Sequence, residues 1–482
     1  MKKTFVIALV LLLACTFVFA QGADEAASAA KAPAKGDKVE WWDHFLPLAQ
    51  LHRTIWNQSE KETGIPVEYT QYDPAKQTEA LMLAFRTKSL PDVFSQVFSG
   101  VGIEATLKNE GWFSPMAVNK SELPRIVQDS LFEGYTLFDG KVYSFPTYSI
   151  NHNAPLWYLT KYVSENEVPR TFEEARALGR KITEESNKKT YGFVVPYAFI
   201  GRMDATIEDM MNALGSDGYI NWTTGEYNYA SEEIFKVFEF FTGIWDDGSV
   251  LPASVNLVMR AARERWAAGD GAMLIDGSWN IGVVKSNFPT LYNNGSVGVT
   301  DPLREDGSRP YKVYKNPPTG VFYISSNSDN VDEATNTLLK LMGDDYYIGL
   351  AEAQDQPPLD VSAVAKASVD PTYVEVCDMF GRTMAYKPSP VLRNVEVAKV
   401  SAEMKEIHPT PAEILQGYVS GSIKDWKSEL IKYNNAMTKE RERAIAKCQK
   451  EGLNVSINDW IFTNYKYGES YLTNLYADSY RK

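Results

Sequence analysis

The chain has 482 residues, with 49 Lys and Arg against 62 Asp and Glu, for a formal net charge of −13. That balance, with no basic stripe to offset it, argues against nucleic acid or an anionic membrane as the main partner, because polyanion binding rests on clustered Lys and Arg. The apolar (44%) and charged (23%) fractions are those of a globular protein in water. The four histidines, at 44, 52, 152 and 408, have no HExxH-type spacing, so neither a metal nor another cofactor is expected.

In chain order, Met1, Lys2 and Lys3 precede an apolar run from Thr4 to Phe19 that ends at Ala20, which reads as a secretory signal peptide over residues 1–20. The run is too short, and too soon polar, for a permanent membrane span. Leu12-Leu13-Ala14-Cys15 also reads as a lipobox that would lipidate Cys15. The apolar Thr16 to Phe19 after it favours cleavage at Ala20, and both routes place the protein outside the cytoplasm, free in the periplasm or lipid-anchored. Residues 21–482 are too many for one ordinary core and imply two or three units. Cys377 and Cys448 survive cleavage. Export would allow them to pair, but two cysteines are no disulfide framework for this length.

Residues 21–38, rich in Ala, Gly, Pro and Lys, read as a flexible leader. Val39–Phe45 (VEWWDHF) is a short aromatic strand, Leu48–Gly64 has apolar residues at helical spacing, and Ile65–Tyr72 is a second strand. A helix through Gln77–Ser89, a strand at Leu90–Phe94 and a helix near Gly102–Gly111 follow. Strand, helix, strand, helix, strand predicts a parallel sheet of right-handed βαβ units. Asp139-Gly140, between the apolar Tyr135–Phe138 and the extended Lys141–Pro146, predicts a β-hairpin turn. Pro155–Leu159 is extended, and Thr171 with Glu174 forms a capping box for a helix through Ile182. Tyr191–Pro196 is a further strand. Ala205–Trp266 is mostly helical, broken by a turn-rich section at Gly215–Tyr229.

The stretch Ala267–Trp279 (AAGDGAMLIDGSW) runs from a helix end into an apolar strand. Gly269 and Gly271 permit a left-handed helix stop, and Ala272–Ile275 suits a buried parallel strand. A turn at Asp276-Gly277 then delivers Trp279 to the carboxyl edge of the sheet, where ligands of open α/β sheets bind. An ordinary core tryptophan is the competing reading, since Trp is largely buried on average. Strands at Val297–Leu303 and Gly320–Ser325, a helix near Asp332–Met342, a mixed region at Met379–Glu406 and a helical Thr410–Lys447 complete the chain. No repeat period is present.

Taken in order, the opening strand and helix, Leu90-Pro91-Asp92-Val93, KVYSFP at 141–146, the capping box after Pro169 and Gly277-Ser278-Trp279 resemble the extracellular solute-binding proteins of bacterial ABC importers. The chain is most similar to the sugar-binding group that includes maltose-binding protein. This resemblance implies a two-lobed, periplasmic-binding-protein-like α/β fold, with each lobe a mainly parallel sheet flanked by helices and the ligand in the cleft between them. It places lobe 1 at 39–147 and 320–360 and lobe 2 at 148–319 and 361–482, with crossings near Phe145–Ile150, Gly320 and Asp360. The segment past Glu451 extends beyond the compact family pattern. The implied activity is capture of a sugar or oligosaccharide by a monomer whose lobes close over it, with delivery to the membrane permease of the importer.

A sugar site combines flat aromatic surfaces with carboxylates, amides and hydroxyls. Trp279 matches the family's sugar-stacking tryptophan, and Asp276 beside it is counted with the binding residues. Trp42, Asp43 and His44 end the first strand, where the family places polar contacts; strand alternation sends only one of Trp41 and Trp42 toward the cleft, and Asp43 reads equally as a helix N-cap. Gln96 and Ser99 stand where the family has an aromatic and an acidic residue. Tyr148, Asn151 and His152 follow the first crossing, and Pro196-Tyr197 resembles the family's Pro-Tyr sugar contact. Arg393, in a Pro-flanked loop, or Arg202 would pair with an acidic sugar. The rival reading, a secreted glycosidase, needs a carboxylate pair that no spacing picks out, and no GxSxG or phosphate loop is present. A surface adhesion protein would show repeats or many short strands, and neither occurs.

Overall fold

A computed structural model of the protein describes residues 38–45, 48–72, 74–98 and 102–477. The signal peptide, the lipobox with Cys15, nearly all of the leader, and Ser99 lie outside the described residues.

The first sheet opens with β1 (Val39–Asp43), followed by the helix Ala49–Thr63, β2 (Val67–Gln71), the helix Pro74–Thr87, β3 (Val93–Ser95), the helix Ile103–Asn109 and β4 (Phe113–Ser114). Both β2 and β3 pair with β1 in parallel, as βαβ units require. Alternation along β1 buries Val39, Trp41 and Asp43 on one face and leaves Glu40 and Trp42 half-covered on the other. Trp41 packs on Trp56 of the first helix, with ring centroids 4.1 Å apart. A hairpin of β5 (Leu137–Phe138) and β6 (Lys141–Val142) turns on Asp139 and Gly140, both at positive φ (54° and 74°), the geometry favoured for two-residue turns.

The second sheet contains β7 (Leu156–Leu159), β8 (Tyr191–Val194), β9 (Gly271–Ile275) and β10 (Val297–Thr300) in the order β10-β7-β9-β8. The capping box forms as expected: Thr171 accepts from the Glu174 amide and starts the helix Phe172–Glu185. Of the two glycines expected to stop the preceding helix, only Gly269 is left-handed (φ 85°), while Gly271 begins β9 itself. The strand β9 is parallel to β8 but antiparallel to β7, so its surroundings are mixed rather than all parallel.

After β11 (Val313–Lys315), the chain returns to the first sheet as β12 (Phe322–Ser325), antiparallel between β3 and β4. The helix Pro371–Thr383 packs on the second sheet's core, and β13 (Met384–Tyr386) pairs in parallel with β11. The expected helix through 410–447 is two helices, Pro411–Val419 and Trp426–Lys450. The break arises because the Ser422 and Ile423 amides turn back onto Gly417 O, and Asp425 caps the second helix by accepting from the Ser428 amide. Cys377 and Cys448 are both free and buried, in separate apolar clusters. No helix among the described residues is long and apolar enough to cross a membrane.

Candidate functional site

At the end of β1 the carboxylate of Asp43 is wholly buried. His52 Nδ1 lies 2.6 Å from it, Tyr69 Oη donates at 2.7 Å and the Phe45 amide at 3.0 Å. Burial alone would raise its pKa, but these partners outweigh burial and hold the group below the usual carboxylate range. Asp43, expected to meet ligand, is therefore used inside the lobe, tying β1 to the first helix and β2. His44 Nδ1 sits 2.7 Å from Ser95 Oγ, and burial lowers its pKa. Trp42 is the half-exposed member of its pair, leaning on Tyr72 with ring centroids 5.1 Å apart.

The turn after β9 is built around Asp276, which has no exposed surface. Arg263 grips it through two nitrogens, at 2.6 and 3.1 Å, while the Gly277 amide (2.8 Å) and Trp279 Nε1 (2.9 Å) donate to the same carboxylate. Both oxygens are engaged, so Asp276 positions Trp279 instead of meeting ligand as expected. The indole lies so close over Gly277 that a Cβ there would fall 2.2 Å from it. Trp279 is half-exposed, and the Arg202 guanidinium stands 4.4 Å from its ring centroid. Arg202 also donates to Asn153 Oδ1, and Asn153 donates to Asp209 through its backbone (2.8 Å) and its side chain (3.0 Å). Tyr197, expected at the cleft, is instead fully buried within the second lobe; its ring meets Phe241 and Trp245, and its hydroxyl donates to Phe241 O.

Two segments distant in sequence, 147–151 and 355–359, run side by side. The Ser149 amide donates to Pro357 O (2.9 Å) and the Leu359 amide to Thr147 O (3.1 Å), making an antiparallel bridge of Tyr148 with Pro358. Asn151 Nδ2 donates to Gln356 Oε1 at 3.2 Å. Tyr148 is half-buried, and burial with the nearby Asp355 raises its hydroxyl pKa to about 12. Ser278 Oγ donates to Asp355 O at 2.8 Å, joining the Trp279 turn to this pair of segments. Asn151 and Tyr148 thus belong to this pair of segments. His152 is buried against Phe380 in the second lobe.

A separate cavity of about 510 Å³ has walls from both lobes. The first lobe contributes Glu104 and Tyr135, and the second contributes Glu208 with Tyr219, Trp222, Tyr227 and Tyr229. Lys387 and Trp460 come from the last part of the chain. Burial raises the pKa of Glu104, whose carboxylate accepts from Gln96 Nε2 at 3.3 Å, so the predicted Gln96 stands one bond behind the wall. Glu208 accepts from Lys387 Nζ at 2.9 Å; burial works against its charge, but Lys387 and Lys315 hold its pKa below the ordinary range. The neighbouring Asp209 pairs with Lys315, so Arg202, Glu208 and Asp209 on the helix Ile200–Ala213 link Trp279 to the cavity. Arg441, itself buried, lies 4.2 Å from the Tyr227 ring centroid and 5.5 Å from that of Trp460, behind the aromatic wall.

Arg393, expected over the cleft, instead donates to Ile461 O and lies 5.1 Å from the Phe462 ring centroid, anchoring the end of the chain. Among the described residues no group of three or more His, Cys, Asp or Glu is placed to hold a metal ion. A second cavity, of about 430 Å³ at the outer edge of the second sheet, takes in no residue of the first. Sequence reasoning missed most of the lining of the cavity that both lobes share. The signal available was aromatic density: Tyr219, Trp222, Tyr227 and Tyr229 all lie in the turn-rich break between helices.

A model of the bacterial extracellular solute-binding protein family matches residues 54–369. No curated protein matches the chain. Solved structures of the same fold include the GacH receptor of Streptomyces glaucescens, described unliganded and in complex with acarbose and an acarbose homolog. It is 17% identical, with a TM-score of 0.62 over 85% of this chain and 99% of that one. The sugar-binding protein MalE from Xanthomonas citri is 16% identical, with a TM-score of 0.61 over 87% and 100%. An extracellular solute-binding protein from Staphylococcus aureus, in complex with maltose, is 19% identical, with a TM-score of 0.58 over 84% and 98%.

Proposed function

Because the chain belongs to the bacterial extracellular solute-binding protein family, and so acts outside the cytoplasm, we propose that it captures a sugar or oligosaccharide between its two lobes and hands it to the membrane permease of an ABC importer. The observation that carries this reading is the cavity reached by side chains of both lobes, in which tyrosines and tryptophans stand with the carboxylates of Glu104 and Glu208 and the ammonium of Lys387. Aromatic faces pack on the C–H faces of a pyranose, and the charged groups accept from and donate to its hydroxyls. Structural neighbours described with maltose or acarbose support a saccharide as the ligand class. The paired segments 147–151 and 355–359 serve as the hinge, and a ligand touching both lobes favours the closed state. The protein works as a monomer, without catalysis, after release from its signal peptide at Ala20.

Isothermal titration against a panel of mono- and oligosaccharides, with tryptophan fluorescence in parallel, tests the proposal. Saturable binding of an unaltered sugar is expected. Hydrolysis of a panel member, or no binding across the whole panel, would overturn it.

A further inference from the structure

The family match ends at residue 369, yet one wall of the cavity is built from residues beyond it. Lys387, Ser389, Ser401 and Trp460 all face the space shared with Glu104 and Glu208. This late segment is bonded to both lobes. Toward the first, Val391 packs against Gly102, where a Cβ would fall 2.8 Å from Val391 Cγ1, and Tyr135 Oη lies 2.9 Å from Ser389 Oγ. The Ser389 amide in turn donates to Tyr476 Oη at 2.8 Å. Toward the second, the Phe462 amide donates to Trp222 O (2.7 Å) and the Tyr229 amide to Asn434 Oδ1 (3.0 Å). Trp460 is 6% exposed and backed by Arg441, so its ring is held rather than free to swing aside.

We infer that the segment from Lys387 to Trp460 is a specificity cap that closes one side of the ligand cavity and limits how many sugar units the protein can grip. The inference rests on the sugar-binding reading above. An open cleft between two lobes gains contacts with each added sugar unit; a cleft walled by a segment bonded to both lobes stops gaining once the space is filled. Affinity should therefore level off once the space is filled, so that units added beyond a disaccharide gain little.

The test is titration of the full chain with paired short and long probes: maltose against a long maltodextrin, cellobiose against a long cellodextrin, and chitobiose against a long chitooligosaccharide. For whichever series binds, the long probe is expected to bind within about threefold of the short-oligomer plateau. Ser401→Phe, which fills the cavity from a half-buried helix position, is expected to weaken the short probe about tenfold or more with an unchanged thermal midpoint. Trp460→Ala, checked for folding by circular dichroism, should let the long probe overtake the short one. Affinity that climbs more than about tenfold from short to long probe, or a Ser401→Phe variant that binds like wild type, would overturn the cap while leaving sugar binding intact. Failure of every series to bind the wild-type protein would remove the sugar reading and the cap together.

Discussion

Asp276 and Trp279 sit three residues apart on one turn and do different work. The carboxylate is fully buried and engaged with Arg263, the Gly277 amide and the indole N–H, whereas the indole is half-exposed and shares its surface with Arg202. A sugar that stacks on Trp279 must therefore share or displace the guanidinium, even if the ligand is neutral. Trp279→Ala is expected to weaken sugar binding roughly tenfold, about one stacking contact, and to leave the unliganded thermal midpoint nearly unchanged. Asp276→Asn breaks a buried charge pair, so it should cost about 3 kcal/mol of stability by denaturant unfolding. If the two variants behave alike, by losing stability or by losing only binding, the division of roles is wrong.

The helix Ile200–Ala213 is the element on which the proposed site turns. Arg202 and Asp209, two turns apart, both meet Asn153, while Asp204 and Glu208, one turn apart, face the turn-rich section, where Tyr219 bonds both residues. Asp204 also accepts from the Ala412 amide and Thr410 Oγ1, docking the start of the helix Pro411–Val419. Burial raises its pKa to about 6, against the pull of those two bonds. Its folded pKa therefore lies above the unfolded value near 4. Below pH 4 both states are protonated and no charge is buried; as pH rises through 6 the folded state takes on a buried charge and loses stability, on the order of 3 kcal/mol at most. Urea unfolding of wild type and Asp204→Asn at pH 4 and pH 7 should show the variant gaining on wild type as pH rises. A gap that stays constant with pH would mean that Asp204 titrates like an ordinary surface carboxylate.

At the scale of the whole molecule, if the paired segments 147–151 and 355–359 are the proposed hinge, a ligand that favours the closed state should compact the protein. Small-angle scattering should record a smaller radius of gyration on adding the sugar that titration identifies; an unchanged radius with saturated binding would mean that the late segment already holds the lobes at their closed angle. Much of this architecture was legible along the chain. The βαβ opening, the Asp139-Gly140 hairpin, the Thr171 capping box and the strand leading to Trp279 depend on periodicity and turn chemistry between near neighbours, so the sequence by itself determined them, along with the acidic charge. What only the tertiary structure decided is how the polar groups are used. Asp43 and Asp276 have the right chemistry for a sugar and Tyr197 follows a suggestive proline, yet packing consumes all three inside the lobes. The cavity depends on contacts such as Tyr135 with Ser389, 254 residues apart, and on aromatic residues in a turn-rich break that has no period. A group's burial and partners come from segments distant in sequence, so residue type and spacing alone do not determine whether a carboxylate faces a ligand or an arginine.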